Sequence, residues 1–341
     1  MQQTPDNKEA PSHRRMTMGD LARLAGVSIA TVSRALRNVE TVLPETRKRV
    51  QQLAAEHGFI ANANAQNLRG KTSRKIGVVI DFQAGPGRTG PDTFMFELLA
   101  DVVHALTIRD YEVSICPRAA STAEYEQQFA ERGLSGAVFL GQSGQHAVLQ
   151  DLTKHFPIVV WGAVLGDGRY CSVGSDNLAG GHMVGRHFRV LSATSVLLVG
   201  DKTTEQVQLR FKGFREGFDA DESDHVDWLD VQGFSYEGAY QGVRAYLARG
   251  GRVDAIFAAT DTLAMAAIRA LQEAGLSVPG DVRVAGYNDI PQSQAFHPSI
   301  TTVREDSSQA GALLADKLLQ VREGMRPTSA RLAVEFIIRE S

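Results

Sequence analysis

Apolar and polar positions follow two different patterns along this chain, and the change falls near Lys75. Beyond it, short apolar runs alternate with amphipathic stretches of helical length, which predicts an α/β fold of parallel strands covered by helices. The predicted strands are KIGVVID, YEVSIC, GAVFLG, PIVVWG, SVLLVG, DAIFAAT and VRVAGY, with LAVEFIIRE (332–340) as the last. The length of this region accommodates two such lobes.

In parallel sheets, ligands collect at the carboxyl ends of the strands. Several polar or aromatic side chains stand at or just after the ends of the predicted strands. This rule alone nominates Asp81, Gln142, Trp161, Asp201, Thr260, Asp261, Asn288 and Asp289.

The apolar residues upstream recur at helical spacing instead. Leu21, Leu24 and Ala25 share one face of a predicted first helix. Thr17 is a suitable N-cap for this helix, and Gly26 ends it.

A second helix is predicted from Ile29 to Leu36, with Ser28 as its N-cap. A third is predicted to begin at Pro44, and its Val50 and Leu53 would close a small core. Two short helices joined by a tight turn make a helix-turn-helix, whose second helix enters the major groove of DNA.

Charge is distributed unevenly along the chain. Residues 1–75 carry 13 Lys+Arg and 6 Asp+Glu, a balance of +7, so the remainder must carry −10 of the total of −3. A basic N-terminal segment on an acidic body is typical of a head that binds a polyanion such as DNA.

Other features of composition favour a cytoplasmic protein. The polar stretch 1–16 has no apolar signal-peptide centre. It is expected to be a disordered leader, or to reflect a true start at Met16 or Met18. No apolar run approaches the length of a membrane span. Cys116 and Cys171 are expected to be separate thiols and not a disulfide.

The string MGDLARLAGVSIATVSRAL resembles the DNA-binding headpiece of the lactose-repressor (LacI) family, and ETRKRVQQLAAEHGFIANANAQNLRGK resembles its third helix and hinge helix. The similarity continues through SDNLAGG, RFKGF, ATDTLAMAAI and VAGYNDI, so it covers nearly the whole chain after residue 16. It implies a sequence-specific transcription regulator, expected to be a repressor. The implied parts are a leader (1–16), an all-α headpiece (17–61), a hinge helix (62–71) and a two-lobed core of the periplasmic-binding-protein type I (72–341).

The resemblance implies base reading by Ile29, Ala30 and Arg34 and backbone positioning by Thr31, Ser33 and Asn38. A guanidinium such as that of Arg34 can bond O6 and N7 of guanine together, whereas Ile29 and Ala30 offer only apolar contact. The full set of predicted DNA-binding residues is Thr17, Ser28, Ile29, Ala30, Thr31, Ser33, Arg34, Asn38, Asn62, Ala65 and Leu68.

The predicted hinge helix has a single large apolar residue, Leu68. In the family, the residue at this position wedges between central base pairs from the minor groove, which bends the duplex. An isolated helix of this length is marginal in water, so ordering only on DNA is expected. A plain linker with an incidental leucine is the alternative.

For the core, the resemblance implies an effector site between the lobes. Its predicted residues are Phe94, Trp161, Asp176, Arg210, Phe234, Thr260 and Asn288. Arg210 is expected to bind a carboxylate or paired hydroxyls. Trp161 is equally compatible with a core position. Sugar-responsive members often have Asn at the position of Thr260 and Asp at that of Asn288, so no relative's effector can be transferred.

Three other interpretations do not fit these patterns. The segment GPGRTG (85–90) spells a dinucleotide-binding motif, but Pro91 follows it and the helix is expected only near Phe94. His182 and His187 are five residues apart, which does not align metal ligands on a helix. No enzyme, metal or cofactor is therefore expected. A secreted solute-binding protein would need a signal peptide and no basic headpiece.

The expected assembly is a homodimer that reads a pseudo-palindromic operator in double-stranded DNA, with no membrane partner. Its surface is expected on helices near 94–106 and 211–218, and no tetramerisation helix is expected beyond the last strand. A carbohydrate is the favoured effector and a nucleobase the alternative. Effector binding would change operator affinity by altering the angle between the lobes.

Overall fold

The computed structural model describes residues 18–36, 42–56, 73–80, 92–142, 144–165, 170–220 and 224–341. The chain divides into two compact units, residues 1–66 and 67–341. That division falls inside the predicted hinge segment, 62–71, which lies outside the described residues.

The described part of the first unit is a three-helix bundle with helices α1 (Met18–Ala25), α2 (Ile29–Leu36) and α3 (Pro44–Glu56). Gly26 makes the turn after α1 at a φ of +65°, a conformation that costs glycine little because it has no Cβ. The core contains Leu21, Ala22, Ala25, Val32, Ala35, Val42, Val50 and Ala54. Leu24 was expected on the packing face, and this is wrong: it is 52% exposed. In so short a helix, Ala22 takes the inward position instead.

The second unit begins with a lobe built on a six-stranded sheet, in the order β11-β5-β4-β3-β1-β2, whose neighbours are all parallel. Its elements are β1 (Lys75–Ile80), α4 (Thr93–Thr107), β2 (Glu112–Pro117), α5 (Thr122–Arg132), β3 (Ala137–Leu140), α6 (His146–Leu152), β4 (Ile158–Trp161), β5 (Ser172–Ser175), α12 (Ser307–Arg322) and β11 (Ala330–Leu332). Buried β-branched and aromatic residues fill both faces of this sheet, as expected where helices cover each side.

The second lobe is built on a four-stranded parallel sheet in the order β7-β6-β8-β9. Its elements are α7 (Asn177–Val190), β6 (Ser195–Gly200), α8 (Glu205–Phe218), β7 (His225–Asp230), α9 (Tyr236–Ala248), β8 (Ala255–Ala258), α10 (Asp261–Glu273), β9 (Arg283–Ala285), α11 (Pro291–Ala295), β10 (Thr302–Arg304) and β12 (Glu335–Ile337). Strands β10 and β12 pair antiparallel. Isolated parallel bridges join Ala285 to Thr301 and Asn288 to Arg304, so β10 lies beside the chain that continues from β9.

The chain passes between the two lobes three times. The crossings lie between β5 and α7, between β10 and α12, and between β11 and β12. The amide of Asp176 donates to the carbonyl oxygen of Leu332 at 2.8 Å, which joins the first crossing to the third. The lobes are therefore connected by three segments, of which the first and third are hydrogen-bonded to each other.

Two expectations about the core were wrong. The segment 332–340 is not one strand, because β11 belongs to the first sheet and β12 to the second, with a crossing between them. The apolar face of α8 was expected to reach a dimer surface, yet Phe211, Phe214 and Phe218 are fully buried within their own lobe. Among described residues, no helix is both long and apolar enough to cross a membrane.

Candidate functional site

The second helix of the headpiece presents an exposed face. Ile29 is 55% exposed, and Ala30 and Arg34 are also exposed. Ser28 caps the helix, because its hydroxyl oxygen accepts from the amide of Thr31 at 3.1 Å. The three side chains expected to read bases thus lie at the surface of a helix whose N-terminus is fixed.

The opposite face of α2 is held by the rest of the bundle. Val32 and Ala35 are buried in its core. From α3, the guanidinium of Arg49 donates to the carbonyl oxygen of Ala25 at 2.9 Å, and the amide of Gln51 donates to that of Ala35 at 3.3 Å. These bonds engage carbonyl groups at the ends of α1 and α2, which fixes the angle between them.

Several predicted DNA-binding residues lie outside the described part of the chain. These are Thr17, Asn38, Asn62, Ala65 and Leu68, and the side chain of Ser33 is likewise not described. Their roles stay predictions.

A cavity of about 460 Å³ lies between the two lobes of the second unit. Both lobes and two of the three crossings contribute to its walls. Its polar and aromatic lining residues are Asp92, Phe94, Arg118, Phe139, Gln145, Trp161, Ser175, Asn177, Asp201, Thr203, Thr204, Gln206, Arg210, Asp230, Gln232, Phe234, Thr260, Asn288 and Glu305.

Aromatic rings form part of the wall. The rings of Phe94 and Trp161 lie 5.8 Å apart between centroids, at an interplanar angle of 42°. Both belong to the first lobe, and Phe234 contributes to the lining from the second. Trp161 is 4% exposed and belongs to the core cluster of its lobe while also lining the cavity, so both interpretations of this residue hold in part.

Arg210 is the most extensively bonded side chain of the cavity. Its Nε donates to Oδ1 of Asn177 at 2.7 Å, and its other nitrogens donate to the carbonyl oxygen of Ala259 at 2.6 Å and to Glu305 at 3.2 Å. The guanidinium also lies 3.6 Å from the ring centroid of Tyr287. Asn177 and Glu305 stand at two different crossings, so Arg210 ties α8 to both.

Asn288 continues this network. Its side-chain amide donates to Glu305, while its Oδ1 is buried without a hydrogen-bond partner among the described residues. Its φ is +106°, in the left-handed region where asparagine is among the few non-glycine residues enriched. Asn288 thus lines the cavity while its buried side-chain oxygen receives no hydrogen bond from a described donor.

Two polar contacts join the lobes across the cleft. The hydroxyl of Thr262 in α10 donates to Oδ1 of Asp92, before α4, at 2.8 Å. Burial raises the pKa of Asp92 above its usual value. Nε2 of His146 lies 2.8 Å from Oε1 of Glu205, so the beginnings of α6 and α8 are also in contact.

Six of the seven predicted effector-binding residues line the cavity, and Asp176 does not. The carboxylate of Asp176 caps α7, accepting from the amide of Ala179 at 3.0 Å. The adjacent residue, Asn177, faces the cavity instead. The carboxylate of Asp176 is thus used to cap the amides at the start of α7. A sequence match cannot distinguish such a cap from a residue that contacts a ligand.

Of the other residues nominated by the strand-end rule, Asp201 lines the cavity, whereas Gln142, Asp261 and Asp289 do not. Asp261 is fully buried and accepts from the hydroxyl of Thr302 and the amide of Ile290. Asp289 forms ion pairs with Arg304 and Arg339. Gln142 lies within hydrogen-bond distance of Tyr170, and Asp81 lies outside the described residues.

Sequence reasoning missed Asp92, Asn177, Gln206, Asp230 and Glu305 among the lining residues. Asp230 ends β7, a strand whose alternating charged residues concealed it. Recognising HVDWLD (225–230) as an edge strand would have found it through the strand-end rule. Glu305 carried no such signal, because it stands at a crossing that only the assembled lobes define.

Among the described residues, no group of three or more histidine, cysteine, aspartate or glutamate side chains is placed to hold a metal ion. The segment GPGRTG lies outside those residues, and the helix that follows begins at Thr93.

Two protein-family profiles match this chain. Residues 17–62 match the family described as bacterial regulatory proteins, lacI family, and residues 186–341 match the periplasmic binding protein-like domain. A curated relative, the ribose operon repressor of Haemophilus influenzae, is 24% identical over 95% of this chain and 98% of its own length.

Solved structures give the same picture along nearly the full length. The transcriptional regulator CelR in complex with cellobiose is 25% identical, with a TM-score of 0.69 over 96% of this chain and 100% of that one. The lac repressor dimer bound to operator and an anti-inducer is 24% identical, with a TM-score of 0.70 over 96% and 99% of the two chains. At that identity the second likeness concerns the fold alone.

Proposed function

Because the chain belongs to the lacI family of bacterial regulatory proteins, we propose that it represses transcription by binding an operator whose affinity a small molecule controls. The observation that carries this proposal is that one chain contains both a helix-turn-helix with an exposed second helix and a cavity between two lobes. A regulator that reads chromosomal DNA acts in the cytoplasm. The relatives are regulators and not enzymes, which agrees with a binding function.

Recognition of DNA is assigned to α2. Arg34 is exposed and can donate two hydrogen bonds to a guanine in the major groove. Ile29 and Ala30 can pack against a thymine methyl group. The basic balance of +7 within residues 1–75 supplies attraction to phosphates that does not depend on sequence.

Control by a ligand is assigned to the cavity. A molecule that contacts Phe94 in one lobe and Phe234 in the other favours one angle between the lobes. That angle is transmitted through the three crossings, at two of which Arg210 is bonded. Allosteric coupling of this kind is worth about 1–3 kcal/mol, or roughly 5- to 150-fold in operator affinity.

The favoured effector is a carbohydrate. Cellobiose is bound by the CelR relative, and this cavity combines aromatic faces with many hydrogen-bonding groups. Two headpieces are needed to read a pseudo-palindromic site, so the working form is a homodimer. Phe96 in α4 and Ile115 in β2 are about half exposed on the first lobe, and they are candidates for the dimer interface.

A selection experiment tests this function. The full-length protein is incubated with a pool of random duplexes, and the retained sequences are read out. Enrichment of one pseudo-palindrome, with a change in affinity on adding a sugar, is the expected result. Retention of DNA without any sequence preference would reject the proposal, because basic charge alone gives that outcome.

A further inference from the structure

The side chains with acidic or basic groups that line the cavity are mostly acidic. Four carboxylates line it, those of Asp92, Asp201, Asp230 and Glu305, against the guanidiniums of Arg118 and Arg210. Arg210 and Glu305 form a buried ion pair at 3.2 Å, with side chains 6% and 2% exposed. This pair neutralises itself, so the charge of Arg210 is not available to attract an anion.

The other three carboxylates are bonded only by neutral donors among the described residues. Asp201 accepts from the amide and hydroxyl of Thr203 and from the amide of Gly233. Asp230 accepts from the amide of Lys202. Asp201 and Asp230 alone outnumber the guanidinium of Arg118, so the cavity has an excess of negative charge even though burial raises the pKa of Asp92.

Two buried acceptors without a partner in the described part of the chain also favour a ligand that donates hydrogen bonds. Oδ1 of Asn288 and Oε1 of Gln206 are both buried without a hydrogen-bond partner among the described residues, and both residues line the cavity. Asn288 is 5% exposed, so bulk water does not readily reach its oxygen. A buried acceptor with no donor is unfavourable, and a ligand that donates hydrogen bonds would relieve it.

We propose that the effector is a polyhydroxylated molecule that carries no phosphate or carboxylate group, and that the acidic lining excludes the acidic derivatives of that molecule. The inference rests on the proposed function and narrows its ligand class. Hydroxyl groups donate to the carboxylates and to the unpaired amide oxygens, while the aromatic rings cover the apolar faces of a sugar ring. An anion would instead face like charges at close range.

Matched sets of compounds test this inference on the full-length protein. Each set contains a neutral sugar, its amino sugar, its uronic acid and its phosphate ester, and binding is measured by calorimetry. The expected result is that a neutral or amino sugar binds and that its acidic derivatives bind at least about a hundredfold more weakly. An amino group is tolerated because the carboxylates attract it.

A pair of variants links that discrimination to the lining. Asp230→Asn removes one charge and keeps an oxygen that can accept from the amide of Lys202. The difference in affinity between the neutral sugar and its acidic derivatives should therefore become smaller. Asp151→Asn, at an exposed position paired with Lys154 outside the cavity, should leave the penalty unchanged.

Two results would overturn the inference. One is a phosphate ester or uronic acid that binds as tightly as its neutral parent. The other is a panel in which no neutral or amino sugar binds. Either result leaves the proposed function standing if the same protein still selects an operator, whereas loss of that selection would reject the function whichever ligand binds.

Discussion

Gly181 in α7 lies so close to Arg210 in α8 that a Cβ at position 181 would sit 1.8 Å from the carbonyl oxygen of Arg210. The contact between α7 and α8 also needs glycine at three further positions, where an added Cβ would lie 2.0–2.2 Å from a backbone oxygen of the facing helix. These are Gly185, Gly213 and Gly217. The two helices therefore pack backbone against backbone. Because Arg210 reaches the cavity from α8, this contact also fixes the position of a cavity residue.

Gly181→Ala should destabilise the protein by about 3 kcal/mol or more, because backbone atoms cannot move aside as a flexible side chain does. The free energy of unfolding in urea measures this. Gly242→Ala is the matched control within a helix, since its Cβ would meet only the side chain of Leu229, at 3.0 Å or more. It should be neutral or stabilising by up to about 1 kcal/mol. Equal losses of unfolding free energy in both variants would show that the close contact between α7 and α8 is not the cause of the destabilisation.

Arg210→Met should destabilise the protein by about 3–5 kcal/mol, because it leaves the carboxylate of Glu305 buried without its cation. Adding Glu305→Gln removes that charge and keeps an acceptor for Asn288, so it should recover a large part of the loss. Thermal unfolding of the two single variants and the double variant measures the coupling. If the destabilisation of the double variant equals the sum of the two single-variant effects, the ion pair between Arg210 and Glu305 does not contribute to stability.

Arg34→Ala should reduce discrimination between the operator and random duplex by about 1–3 kcal/mol, the value of one bidentate base contact. Fluorescence anisotropy with both duplexes at fixed salt measures the ratio. Arg23→Ala is the control, because Arg23 is exposed on α1 and pairs with Asp20, away from the reading face. If the Arg34 variant keeps the wild-type ratio, base reading lies elsewhere.

Asp261 should make stability depend on pH. Burial raises its pKa to about 8, well above the ordinary value that the unfolded chain regains. Between those two values the folded state holds a proton that the unfolded state has lost, so stability falls as the pH rises through this window. The slope reaches up to about 1.4 kcal/mol per pH unit.

Asp261→Asn should remove that slope, because an amide can accept from Ile290 and donate to Thr302 without ionising. Unfolding free energies at several pH values between about 5 and 9 compare the two proteins. Parallel curves for the wild type and the variant would show that Asp261 is not the titrating group.

The helices of the headpiece and most strands of the core follow from local patterns in the sequence. The α2 bounds, Ile29–Leu36, and the start of α3 at Pro44 match the prediction. Local rules suffice there, because a capping serine, a glycine with positive φ and a helical apolar stripe act within a few residues of one another. The strand-end rule likewise placed Trp161, Asp201, Thr260 and Asn288 at the cavity.

Which of the nominated polar groups line the cavity depends on the tertiary structure. The resemblance nominated Asp176 and the strand-end rule nominated Asp261, yet the first caps a helix and the second is fully buried and does not line the cavity. Glu305 carried no local signal and still neutralises Arg210, which is 95 residues away in sequence. Charge pairing and burial depend on contacts between distant segments, so the electrostatic character of the cavity exists only once both lobes and their crossings are assembled.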